Sequence, residues 1–136
     1  MKDLSNYRRS YEQNTLSEEN IPDDPLRLFF DWFNEVDGTD FEANAMTVST
    51  VDADGHPRSR VVLLKQFSGE VFVFYTNYNS AKGRALIENP KVCLSFFWPF
   101  QERQVIIKGI ASKTTAEDSD QYFNTRPIGS KLAAWV

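Results

Sequence analysis

Ala45-Met46-Thr47-Val48-Ser49-Thr50-Val51, Asp52-Ala53-Asp54-Gly55 and Arg58-Ser59-Arg60-Val61-Val62-Leu63-Leu64-Lys65 are the segments that decide the fold. The first is β-branched and apolar, a composition that suits a pleated, half-buried surface. The second is a strong hairpin turn, with glycine where the chain has to reverse. The third is the return strand. Outward from this hairpin the pattern repeats. Phe67-Ser68-Gly69-Glu70 turns again and Val71–Thr76 is a third strand. Asn77–Ser80 reads as a loop that ends in a helix cap. A helix follows from about Ala81 to Glu88, and Asn89-Pro90 stops it, because proline cannot continue the ladder. Lys91–Trp98 and Arg103–Lys113 are two further strands joined across Pro99–Glu102, and a short helix runs from Thr115 to about Thr125 before Arg126-Pro127. Successive short strands, tight turns and few helices predict an antiparallel β-barrel with peripheral helices.

Upstream of the hairpin, Asp24-Pro25 pairs an acidic cap with a proline at the first helical position. Leu26, Phe29, Phe30 and Phe33 follow at helical spacing, with Trp32 beside them, and the pattern fades by Asp37-Gly38. Residues 1–22 are polar with scattered apolar positions and read as an arm that orders by docking. Residues 23–136 read as one domain.

Composition bounds the function. The chain has 136 residues, 41% hydrophobic, 25% charged and 14% aromatic, enough apolar material for a core and too much for disorder. No run approaches the roughly 18 apolar residues that a spanning helix needs, and Met1-Lys2-Asp3-Leu4-Ser5-Asn6 lacks the apolar stretch of a signal peptide. One cysteine, Cys93, cannot make an internal disulfide and suits a reducing compartment. A cytoplasmic protein is the expectation. Net charge is −4, but residues 1–57 hold 4 Lys/Arg against 13 Asp/Glu, and residues 58–113 hold 9 against 3. An acidic chain with a basic middle is unlike a nucleic-acid binder and suits a small anionic ligand such as a phosphate. A solvated charged face accounts for the same counts.

The residues that could carry chemistry lie in that basic middle. Arg60 and Lys65 bracket an apolar strand and, five apart, face opposite sides of a regular one. Ser80-Ala81-Lys82-Gly83 opens a helix, where free N–H groups and a lysine favour phosphate. Gln104 both donates and accepts, as the imide edge of a flavin requires, and an ordinary sheet amide does the same. Tyr122, Arg126 and Ser130 fall four apart, with Pro127 interrupting. The one histidine, His56, lies beside a turn with no partner for a triad, and Cys93 reads as a core residue in mid-strand. No metal-ligand spacing and no nucleotide-binding glycine motif occurs, so no side chain is assigned as catalytic and a cofactor has to supply any redox chemistry.

Arg60–Lys65, Phe74-Tyr75-Thr76-Asn77, Ser80–Gly83, Asn89-Pro90, Arg103-Gln104-Val105, Tyr122–Pro127 and Ala134-Trp135 together resemble the pyridoxamine 5′-phosphate oxidase family, in order and spacing, from about Asp24 onward. The resemblance implies an FMN-binding split β-barrel, a homodimer with the flavin at its interface, and no nucleic-acid or membrane partner. It also implies oxidation of pyridoxamine or pyridoxine 5′-phosphate to pyridoxal 5′-phosphate, a step of vitamin B6 metabolism, with dioxygen as acceptor and hydrogen peroxide as product. By the same resemblance Arg60, Val61, Val62, Leu63, Leu64 and Lys65 line the FMN, Tyr75, Thr76 and Lys82 hold its phosphate region, and Gln104 meets the isoalloxazine. Lys65, Tyr122, Arg126 and Ser130 take the substrate, with Arg8 and Tyr11 of the arm closing over it. Ala81 stands where the family has arginine, which leaves Lys82 more of the phosphate. The family's C-terminal segment, with a Gln-Ser pair and further substrate groups, does not appear in these 136 residues. A C-terminally shortened member is therefore expected, with a non-catalytic flavin- or pyridoxal-phosphate-binding module, or an inactive truncated form, as the alternative.

Overall fold

The computed structural model describes residues 1–13, 15–76, 86 and 88–114. In chain order these form helix α1 (Pro25–Val36) and strands β1 (Ala45–Val51), β2 (Pro57–Ser68), β3 (Val71–Phe74), β4 (Lys91–Trp98) and β5 (Arg103–Ile110). The strands make one sheet in the order β3-β2-β1-β4-β5, with β2–β1, β1–β4 and β2–β3 all antiparallel. The expected fold class, a mostly β antiparallel split barrel with peripheral helices, is met by this sheet, with one helix, α1, among the described residues. The expected helices at 81–88 and 115–125 fall almost wholly outside the described residues.

Each element follows from local chemistry. The Asp24 side chain accepts from the Leu26 N–H at 2.9 Å and Pro25 occupies the first turn, a cap worth about 1 kcal/mol. The Asp37 N–H closes the last turn on the Phe33 carbonyl at 2.8 Å, and Gly38 then leaves with φ +88°. The first hairpin turns through Asp52–His56. The Gly55 N–H reaches the Asp52 carbonyl at 2.9 Å, and Gly55 has φ +84°, a conformation that glycine enters at little cost.

Three boundaries differ from the sequence reading. β2 runs on through Ser68, because Phe67 and Ser68 pair with Phe72 and Val71 across a turn in which Gly69 takes φ +54°. β3 stops at Phe74, which leaves Tyr75 and Thr76 beyond the strand, and β5 stops at Ile110 rather than Lys113.

The chain divides into two compact units, residues 1–43 with 96–105, and residues 44–95 with 106–136. The first is centred on aromatics. Phe29, Val36, Phe96 and Trp98 are buried. Phe29 lies 5.2 Å from Phe96 and 5.9 Å from Trp98 between ring centroids, and the Trp98 indole N–H donates to the Ala43 carbonyl at 3.1 Å. The second unit buries Met46, Val48, Thr50, Leu64 and Leu94. Register explains this set. Val48 lies opposite both Arg60 and Leu94, so the even positions of β1, β2 and β4 share one side of the sheet, as directly paired residues must. Thr47, Ser49, Ser59, Val61, Cys93 and Ser95 share the other, where the Ser49 and Ser59 hydroxyls meet at 2.9 Å. Cys93 is thus not the core residue its apolar neighbours suggested. It is partly exposed and free, because odd positions of β4 point away from the buried side.

Candidate functional site

The run Arg60–Lys65 crosses from regular ladder into irregularity. From Arg60 to Leu63 it pairs in step with β1, Leu63 opposite Ala45. Asn44 then holds Leu64 twice. Its carbonyl accepts the Leu64 N–H at 2.8 Å, and its side-chain amide donates to the Leu64 carbonyl at 2.9 Å. Leu64 is buried, and the register with β3 shifts between Leu64 and Gln66, so Lys65 sits at a bulge. Bulges re-aim side chains, and the parity argument that set Arg60 and Lys65 on opposite faces ends at this one. Arg60, Val61 and Lys65 are exposed, Val62 and Leu63 half-buried. The strand therefore presents two cations at the surface of a segment anchored by a buried leucine. Asn44 was not singled out in the sequence, where it shows only as a polar residue before an apolar strand.

Tyr75 and Thr76, half-buried, follow β3 in the same unit. Gln104 belongs to the first unit, exposed on β5 between the half-buried Arg103 and Val105. In the arm, Arg8 and Tyr11 are exposed, as are Leu4, Tyr7 and Leu16, and the described arm residues carry no helix or strand. Ala81, Lys82, Tyr122, Arg126 and Ser130 lie outside the described residues.

Arg103 was quoted in the Arg103-Gln104-Val105 motif without a role of its own, since in the sequence it is one charge at a strand start. Its guanidinium lies 4.4 Å from the centroid of the Trp32 ring and donates to Glu35 at 2.6 Å, with the side chain 13% exposed. At the first hairpin, Asp54 is held below the usual carboxylate range, chiefly by the His56 backbone N–H and then by its imidazole. That couple is exposed and explains the histidine as a turn residue.

Charge divides between the units in the same sense as along the chain, though less sharply. The first unit holds 5 Lys/Arg against 12 Asp/Glu, the second 10 against 7. The basic surplus thus lies with Arg60 and Lys65, which favours an anionic ligand there.

Comparison with known proteins gives these features a context. Residues 39–136 match the family model described as pyridoxamine 5′-phosphate oxidase. A pyridoxine/pyridoxamine 5′-phosphate oxidase of Flavobacterium johnsoniae is 64% identical over 138 residues, covering 100% of this chain and 64% of that protein. One of Pseudomonas paraeruginosa is 51% identical, covering 98% and 63%. The chain thus spans just under two thirds of the length of the curated relatives it matches. Among solved structures, PhzG from Burkholderia lata, in complex with tetrahydrophenazine-1-carboxylic acid, aligns with a TM-score of 0.77 at 24% identity, over 86% of this chain and 59% of that one. A pyridoxamine 5′-phosphate oxidase-related, FMN binding protein from Nostoc punctiforme aligns with 0.65 at 17%, over 84% and 64%. At those identities the structures establish a shared fold.

Proposed function

The chain belongs to the pyridoxamine 5′-phosphate oxidase family, and from that premise we propose that it forms the FMN-binding part of an oxidase acting on pyridoxamine or pyridoxine 5′-phosphate. The observation that carries this is the anchored middle of β2, where buried Leu64 fixes a segment whose two cations stay exposed.

The residues present suit FMN. A phosphate dianion calls for cations and hydroxyl donors, which the second unit supplies in Arg60, Lys65, Tyr75 and Thr76, with Lys82 beside them in sequence. The imide edge of an isoalloxazine calls for a group that both donates and accepts, and Gln104 is an exposed amide of that kind in the first unit. Bound, the flavin supplies hydride acceptance from the substrate and electron delivery to dioxygen. The chain's own side chains bind, orient and neutralise charge. Lys65 also meets the substrate, and Tyr122, Arg126 and Ser130 take the substrate phosphate, with Arg8 and Tyr11 closing from the arm. The free thiol of Cys93 suits a reducing cytoplasm.

Recording the visible spectrum of the purified chain with added FMN tests the binding reading. A flavin band that co-elutes with protein supports it, and its absence after FMN addition sinks it. Turnover of pyridoxine 5′-phosphate with peroxide release then separates an oxidase from a module that only binds flavin.

A homodimer is part of the proposal. The bond from the Ala111 N–H to the Pro90 carbonyl, 2.8 Å, and the turn at Pro99–Glu102 set β5 on β4 so that Ile106 falls opposite Ser95. The second unit then carries a row Val61, Thr47, Ser95, Ile106 on its open side, with Val61 68% and Ile106 56% exposed and Ile110, further along β5, 70%. Exposed apolar surface of this kind marks an association face. The expected result is elution as a dimer at micromolar concentration, converted to monomer by Ile106→Glu with little loss of secondary structure. Elution of the unsubstituted chain as a monomer would remove this part of the proposal.

A further inference from the structure

Resting on the reading of Gln104 as a flavin contact, we propose that Arg103, held by Trp32 and Glu35, is a positioning residue that fixes how Gln104 is presented. All four belong to the first unit. Successive residues of a strand point to opposite sides. Arg103 and Gln104 are adjacent on β5, the first nearly buried against α1 and the second exposed. Fixing the Arg103 side chain therefore fixes the strand plane from which Gln104 projects the other way.

The grip on Arg103 is specific to its chemistry. Its planar guanidinium lies over the Trp32 ring at 4.4 Å while donating to Glu35 at 2.6 Å. A lysine provides the charge but neither the plane nor the fork of donors. Trp32 and Glu35 lie three apart on α1, neighbours on one helix face, so a single helix supplies both halves of the clamp.

The turn before Arg103 shows why a clamp is needed there. Glu102 has φ +55°, a left-handed conformation that is unfavourable for a residue with a side chain. Gln101 Oε1 and Glu102 Oε2 are buried, and neither accepts a hydrogen bond from a described residue. Strained backbone and unpaired acceptors persist only where the surroundings over-determine them. The Glu102 N–H to Pro99 carbonyl bond, 3.2 Å, closes the turn on one side, and the Arg103 clamp secures its exit. Without the clamp the turn relaxes, and Gln104 loses its set direction.

The test is a double-mutant cycle read by FMN titration, with amide hydrogen exchange of the FMN-free chain beside it. Glu35→Gln removes the ion pair at a half-exposed site, so the variant folds. It is expected to weaken FMN binding by roughly 3- to 10-fold, the lower part of the range for coupled neighbouring groups. In a Gln104→Ala background it is expected to have no further effect. Arg103→Lys follows Glu35→Gln, and Trp32→Phe, which keeps an aromatic face, stays near the unsubstituted chain. In the FMN-free chain Glu35→Gln speeds exchange at residues 103–105 and leaves β1 and β2 unchanged. Equal weakening by Glu35→Gln in both backgrounds overturns the positioning role and spares the flavin reading. Unchanged exchange at 103–105 overturns it without reference to FMN. A Gln104→Ala chain that binds FMN as tightly as before sinks the flavin role of Gln104, and this inference with it.

Discussion

Trp98→Ala is expected to destabilise the chain by about 3–5 kcal/mol, the usual cost of deleting a large buried aromatic. Trp98 has no exposed surface and packs among Phe29, Phe33 and Phe96, with centroid distances of 5.9, 6.4 and 5.6 Å. Three effects add. The ring's apolar burial is lost, a cavity opens among rings that cannot close it, and the Ala43 carbonyl loses the indole N–H it accepts at 3.1 Å. Trp98→Phe separates them, because it refills most of the volume and leaves only the carbonyl unpaired, for about 1–3 kcal/mol. Urea denaturation followed by far-ultraviolet circular dichroism measures both. A loss below about 1 kcal/mol for the alanine variant would show that the aromatic cluster is not the core of the first unit.

Replacing Arg60 and Lys65 together by alanine is expected to abolish FMN binding at micromolar concentrations while leaving the fold nearly untouched. A charge-assisted hydrogen bond contributes about 1.5–3 kcal/mol, so each lost cation weakens binding by roughly 10- to 150-fold. Both side chains are exposed, and surface substitutions usually shift stability by no more than about 0.5 kcal/mol each. Flavin fluorescence titration and a thermal melt of the FMN-free chain, run on the same samples, separate the two effects. An unchanged affinity sinks the assignment of these cations to the phosphate. Lost affinity with a matching fall in stability would instead make them structural.

The two experiments probe parts of the molecule that differ in how far the sequence revealed them. The Asp24-Pro25 cap, the spacing of Leu26, Phe29 and Phe33, and the Asp52–Gly55 turn are local signals, each complete within a few residues. They gave helix and hairpin at nearly their observed bounds. The Arg60–Lys65 run was legible for the same reason, as cations bracketing an apolar strand, and its match to a family motif carried the cofactor reading. Cys93 misled because an apolar neighbourhood in sequence does not state which side of the sheet an odd position takes. The register with Ser49 decides that.

The sequence by itself determined the order of strands and turns, the one capped helix, the uneven charge and the family, because hydrophobic period, turn chemistry and residue motifs are written in contiguous residues. Only the tertiary structure decided what depends on partners far along the chain. Asn44 meets Leu64 across 20 positions, Arg103 meets Glu35 across 68, and Trp98 meets Ala43 across 55. Each pair is an amide, an ion or an indole that finds its counterpart only after the sheet has set its register and the helix has packed. No local pattern records such meetings, because the free energy that selects them belongs to the packed core and not to the segment.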